Sequence, residues 1–210
     1  MRIQKLDKAL KKLFPKAKIE LQFKNPLQLL VAVQLSAQCT DAVVNRVTET
    51  LFKKYKTLDD YASANPREFE RMIHSCGYYK NKTKNILGAM NMIKHTFKGK
   101  VPKTMEEVLQ LPGAGRKTAT VILVEGYGVV EGITVDTHVI RFVQRYDLSD
   151  FKDAVRIEKD LMRLLPKKEW PRFTHRVIYY GRYLAPARRY DIGRDPLVNI
   201  YPLAGKKFRV

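Results

Sequence analysis

Apolar positions along this chain recur with the spacing of helices rather than strands. Ile3, Leu6, Leu10 and Leu13, with Ala9 and Phe14 beside them, share one helical face before Pro15 stops the segment. Asn25-Pro26 reads as an N-cap followed by proline in the first turn, and it opens an apolar helix over 27–35. Thr40 is expected to cap the next helix, with Val44, Val47 and Leu51 aligned behind it. Asn65-Pro66 repeats the start signal, and Gly77 is expected to end that helix. The stretch 80–97 carries Ile86, Leu87, Met90, Ile93 and Phe97 on one face. Thr104 and Glu107 have capping-box spacing. Behind a glycine-rich turn at 113–115, further helices are predicted over 118–124, 137–146, 153–165 and 171–184. Nothing alternates with a period of two for long enough to demand a sheet, so the predicted class is all-α. No internal repeat is visible. Residues 185–210, with three prolines, two glycines and clustered arginines, are expected to be irregular and to wrap the body.

Charge changes the picture more than composition does. Forty Lys+Arg face 21 Asp+Glu among 210 residues, a formal net charge of +19. Such a surface repels itself and points to a polyanionic partner, for which nucleic acid is the default. A hydrophobic content of 45% excludes a disordered tail and supplies a core for one large or two small domains. Cys39 and Cys76 are too few for a disulfide framework or a four-thiolate metal site, and they read as small core residues on helices. No run approaches the length of a membrane span, and charge is scattered through the N-terminal stretch. Neither a membrane segment nor a signal peptide is predicted, and the expected location is cytoplasmic.

The most informative string is Leu111-Pro112-Gly113-Ala114-Gly115-Arg116-Lys117-Thr118-Ala119. Pro112 stops one helix, and the two glycines are expected to permit backbone angles closed to other residues. With no side chains there, a phosphate oxygen can approach the N–H groups that open the next helix. That grips a DNA backbone without reading bases. Arg116 stands where a nucleotide-binding P-loop needs glycine, and no strand precedes the turn, which argues against that motif. A plain turn between two helices, without ligand, is the other reading.

These residues, together with Val135-Asp136-Thr137-His138, Leu35-Ser36-Ala37-Gln38-Cys39-Thr40-Asp41, Gly77-Tyr78-Tyr79-Lys80-Asn81-Lys82 and Gly181-Arg182-Tyr183, resemble endonuclease III of the helix-hairpin-helix glycosylase superfamily. The similarity runs from about residue 20 to residue 184. It implies a six-helix domain over 20–129 and a second helical domain from 1–19 plus 130–210, with a DNA groove between them. It also implies a monomer that flips a damaged nucleotide out of duplex DNA, displaces the base with the Lys117 amine, and cuts the strand by β-elimination. Oxidised or ring-saturated pyrimidines such as thymine glycol are the expected substrates.

A free lysine is almost wholly protonated at neutral pH, so this chemistry needs a neutral amine. Partial burial, the adjacent Arg116 and the positive helix start are the features expected to favour one. Asp136 fits a routine N-cap, and as a fixed carboxylate it could also steady positive charge on the sugar and accept the amine's proton. By resemblance Gln38 and Tyr78 would enter the gap left by the flipped base, with tyrosine where the family commonly has leucine. Gly113, Gly115, Arg116, Thr118 and His138 would contact DNA. His138 reads equally well as a residue satisfying a backbone partner, and Asp41 as a first-turn acid. The family commonly holds an iron–sulfur cluster on four C-terminal cysteines, but Ala185, Ile192, Asp195 and Tyr201 stand at those positions. No cluster and no other cofactor is expected, and the tail is expected to be held by Ile192, Leu197, Ile200 and Tyr201. Arg182, Arg188, Arg189 and Arg194 would present charge to phosphates. Two rivals stay open: a mismatch thymine/uracil or adenine glycosylase of the same superfamily, and a helix-hairpin-helix protein that binds DNA without catalysis.

Overall fold

The computed structural model describes residues 1–187 and 190–206, and among them there are helices and no strands. The chain forms two compact units, Glu20–Glu131 and Met1–Ile19 with Gly132–Val210.

The first unit is built on α2 (Pro26–Leu35), whose Asn25 side chain accepts from Gln28 N at 2.9 Å. Every residue from Leu29 to Leu35 is buried, because this helix is apolar on all sides and must be covered all round. Its cover comes from α3 (Asp41–Lys54), α6 (Tyr79–His95) and α8 (Arg116–Tyr127). Thr40 occupies the N-cap position of α3 without a side-chain bond. Between α3 and α6 lie α4 (Leu58–Ala62) and α5 (Pro66–Ile73), followed by a 3-10 turn over His74–Cys76 that ends at Gly77. α4 escapes a reading based on apolar period. It is five residues long and is fixed by a true capping box between Thr57 and Asp60. Tyr55, Tyr61 and Phe69 pack there as an aromatic cluster, with Tyr55 and Tyr61 stacked at 5.2 Å. α7 (Met105–Leu109) starts at Thr104, but Glu107 receives the Thr104 hydroxyl instead of reaching back to its backbone N–H.

The second unit gathers α1 (Arg2–Leu13), α9 (Thr137–Arg145), α10 (Ala154–Leu164) and α11 (Trp170–Tyr179). Ile3, Leu6 and Leu10 sit in one core with Val139, Phe142, Leu161, Phe173 and Val177. α1 is also tied by charge. Arg176 bonds Asp7 at 3.0 Å and Glu169 at 3.1 Å, while Lys11 bridges the same two carboxylates at 2.8 and 2.9 Å. Alternating signs let each buried charge face two opposite ones, which is what makes their burial tolerable. Burial alone would raise Glu169, but the bonds from Lys11 and Arg176 outweigh it and hold that carboxyl below its usual value.

The last predicted helix reaches Leu184 as expected, but its final turn changes type: α11 passes into a π-helical turn over Tyr180–Leu184. Beyond it come a 3-10 turn (Ile192–Arg194) and α12 (Leu203–Lys206). The tail is anchored differently from expectation. Leu197 is fully buried and Ile200 and Tyr201 pack on the core, yet Ile192 is 46% exposed. The anchor is polar: the buried Asp195 carboxylate receives the hydroxyls of Tyr146, Tyr180 and Tyr190, with Arg145 3.6 Å away and the Leu197 N–H on its other oxygen. A buried carboxylate needs several donors, and three tyrosines can supply them without breaking the apolar shell. Arg188 and Arg189 lie outside the described residues. Among the described residues no helix is long and apolar enough to cross a membrane.

Candidate active site

The hairpin joins α7 to α8 through Leu111–Gly115. Gly113 has φ +75°, and a Cβ there would stand 2.8 Å from the Asn85 Cβ, so both conformation and space require glycine. Gly115 corrects the sequence reading. Its φ of −93° suits any residue. A Cβ there would meet nothing within 4 Å, so the fold itself does not require glycine at this position. As the N-cap of α8 it offers no side chain to the first-turn N–H groups. The turn is pinned from behind, where Gln34 Nε2 donates to the Pro112 carbonyl at 2.8 Å and Gly88 closes on the Pro112 ring.

Arg116 and Lys117 are exposed and Thr118 is half-buried in the first turn of α8. The partial burial expected for Lys117 is therefore not supplied by the chain itself. The start of the helix and the neighbouring guanidinium are both present.

Gln38 and Tyr78 share a feature that sequence could not disclose. Both are exposed, and both hold left-handed backbone at φ 53° and 48°. Residues with side chains seldom occupy that region, and where they do the neighbouring structure must enforce it. A depression of about 340 Å³ brings the two together with Gly113, Asn85 and Lys82. Lys82 is a residue the sequence reading passed over: it is only 6% exposed, and its ammonium donates to the Leu35 and Cys76 carbonyls at 2.8 Å each. Its position in the first turn of a basic helix gave no sign of burial. Of the cysteines, Cys76 is buried in a 3-10 helix as expected, whereas Cys39 lies half-buried in the turn before α3.

Asp136 and His138 belong to the other unit. Asp136 caps α9, accepting from His138 N and Val139 N at 2.9 Å each. Both bonds fall on Oδ1, so the cap uses half of the carboxylate. The His138 ring lies against the backbone of Gly181, where a Cβ would collide with Nδ1, and Arg141 stands 3.1 Å from the same nitrogen. That contact explains the glycine of the Gly181-Arg182-Tyr183 string.

An iron–sulfur cluster needs thiolates. Ala185, Ile192, Asp195 and Tyr201 offer none, both cysteines lie in the first unit, and the Asp195 carboxylate is already filled by tyrosine hydroxyls. These residues do not fit such a cluster. Among the described residues no group of His, Cys, Asp and Glu is placed to hold a metal ion.

Residues 31–167 match the model of the HhH-GPD superfamily of base excision DNA repair proteins. The chain is 47% identical over 195 residues to endonuclease III of Synechocystis sp., covering 93% of this chain and 89% of the relative. Among solved structures it is similar to a non-covalent endonuclease III–DNA complex (TM-score 0.94, 41% identity, 100% of this chain and 98% of that one). It is also similar to a trapped covalent endonuclease III–DNA intermediate (TM-score 0.92, 41% identity, 100% and 99%).

Proposed function

Because the chain belongs to the HhH-GPD superfamily of base excision DNA repair proteins and is a base-excision DNA glycosylase/lyase, we propose that Lys117 is its nucleophile, Asp136 its assisting carboxylate and oxidised pyrimidines of the thymine glycol type its substrates. The observation that carries this reading is the exposed Lys117 in the first turn of a helix whose N-cap is glycine, behind a turn that favours glycine at Gly113. Bound DNA would add the burial that the free chain lacks.

The neutral amine attacks C1′ of the flipped nucleotide, and the base departs with the electron pair of the glycosidic bond and is protonated. Asp136 takes a proton from the newly bonded nitrogen and steadies the charge developing on the sugar. Opening of the ring gives a Schiff base between C1′ and Lys117. Loss of a 2′ proton then expels the 3′ phosphate, cutting the strand, and water releases the enzyme. Gln38 and Tyr78 fill the vacated space in the duplex. Gly113, Gly115, Arg116, Thr118 and His138 hold the backbone. The protein works as a monomer on double-stranded damaged DNA in the cytoplasm, without an iron–sulfur cluster, so iron analysis of pure protein should find none.

Borohydride trapping tests the reading. Wild type, incubated with duplex carrying thymine glycol or an abasic site, should be captured as a covalent adduct, and Lys117→Ala should lose the adduct while still binding. Thymine released from a T·G mismatch, with thymine glycol untouched, would favour a mismatch glycosylase. Binding with neither trapping nor nicking would sink the enzymatic account.

A further inference from the structure

Lys82 has no part in the chemistry above, and it is the buried cation of the first unit that most needs a reason. It sits in the first turn of α6, next to the positive end of that helix dipole, where a cation is disfavoured. Burial pulls its pKa down from the usual lysine value. The Cys76 thiol gives no compensating anion, because burial pushes that group up to about 12 and keeps it neutral. Methionine would fill much the same volume without the cost of a buried charge.

What the ammonium does touch is specific. Leu35 is the last residue of α2 and Cys76 the last of the 3-10 turn, so Lys82 serves as a shared cap on two helix ends, both with the carbonyl-negative polarity that attracts a cation. Gln38 follows Leu35 by three residues, and Tyr78 follows Cys76 by two. Each is in left-handed backbone and each borders the depression that Lys82 also lines. One buried ammonium thus fastens the roots of two strained, exposed turns to each other.

We infer that Lys82 is a positioning residue that holds Gln38 and Tyr78 in the conformation from which they enter the duplex. This rests on the reading of those two residues as the groups that fill the gap behind the flipped nucleotide. Without the clamp each turn can relax to right-handed backbone, and the side chains then leave the base stack.

The test uses the full chain and a duplex holding a tetrahydrofuran abasic analogue opposite 2-aminopurine, whose emission rises when it is unstacked. Lys82→Met should fold, yet lose most of the emission rise. Its excision of thymine glycol from a fully paired duplex should fall about ten- to a hundredfold, the loss typical of hydrogen bonds to a buried charge. A lesion in an unpaired bubble needs little insertion and should be processed within about twofold of wild type. Lys82→Arg should recover part of the paired-duplex rate. A folded Lys82→Met with wild-type emission and paired-duplex excision overturns the inference, and so does an equal loss on paired and bubble substrates, which marks a merely structural role. If Lys82→Met does not fold at the assay temperature, Lys82→Gln replaces it with the same expected split, and failure of both to fold also counts as a structural role. Gln38→Ala and Tyr78→Ala serve as controls. If both keep the full emission rise, the insertion reading itself has failed, an outcome distinct from failure of the clamp.

Discussion

At the scale of single residues, Asp136 carries two demands that substitution can separate. Asn keeps an oxygen to accept from His138 N and Val139 N but removes the charge. Asp136→Asn should melt within about 0.5 kcal/mol of wild type, yet lose roughly 10²–10⁴-fold in excision rate, the range of an acid–base group. Asp136→Ala should lose a comparable rate and also about 1 kcal/mol of stability as α9 loses its cap. Thermal melts alongside single-turnover assays separate the two, and a fully active Asp136→Asn would remove the carboxylate from the mechanism. The hairpin glycines divide in a similar way. Gly113→Ala faces both φ +75° and the Asn85 side chain, and should cost about 1–3 kcal/mol. Gly115→Ala meets neither obstacle, so it should stay folded while its methyl group weakens DNA binding over the α8 N–H groups. Equal melting temperatures for the two variants would refute that division.

At the scale of elements, helix starts were the most legible feature of the chain. Asn25-Pro26, Asn65-Pro66 and Asp136-Thr137 each begin a helix where their capping chemistry says they should. Ends and short segments were less legible. α4 is too short for its apolar pattern to stand out, and no local signal marks the π-helical turn after α11. The tail shows why apolar patterning alone misleads. Its anchor is Asp195, an acidic residue, made acceptable by tyrosines 5, 15 and 49 residues away in sequence. Asp195→Ala should therefore cost about 3–5 kcal/mol, since it strips Arg145 of a carboxylate inside a buried network. The same network should fail in alkali. Burial raises Tyr146, Tyr180 and Tyr190 above the usual tyrosine value of 10.0, so these groups favour the fold while neutral. Their contribution is complete below pH 10.0 and disappears as pH climbs through the folded-state values. Tyrosinate absorbance should rise together with unfolding of the second unit, followed through Trp170, the single tryptophan. Ionisation of these three tyrosines at ordinary pH with the fold intact would disprove the account.

At the scale of the whole molecule, +19 of net charge sets the terms of association. Binding to undamaged duplex should weaken linearly in a plot of log affinity against log salt, with a slope near −0.9 for each phosphate contacted. A protein that uses several lysines and arginines should lose orders of magnitude between low and moderate salt, and a flat titration would show that the surplus charge does not serve DNA.

The sequence by itself determined the helical class, the hairpin and its lysine, the capping aspartate, and the lack of thiolates in the tail. All of these depend on residue type at short spacing, where backbone chemistry acts within one or two turns. Tertiary structure decided the rest. It put Lys82 under two carbonyls, forced Gln38 and Tyr78 into left-handed backbone, set His138 on Gly181, and closed the ring of Asp7, Lys11, Glu169 and Arg176. A buried charge or a strained dihedral is stable only through partners brought from distant parts of the chain, and no local pattern records which partners will arrive.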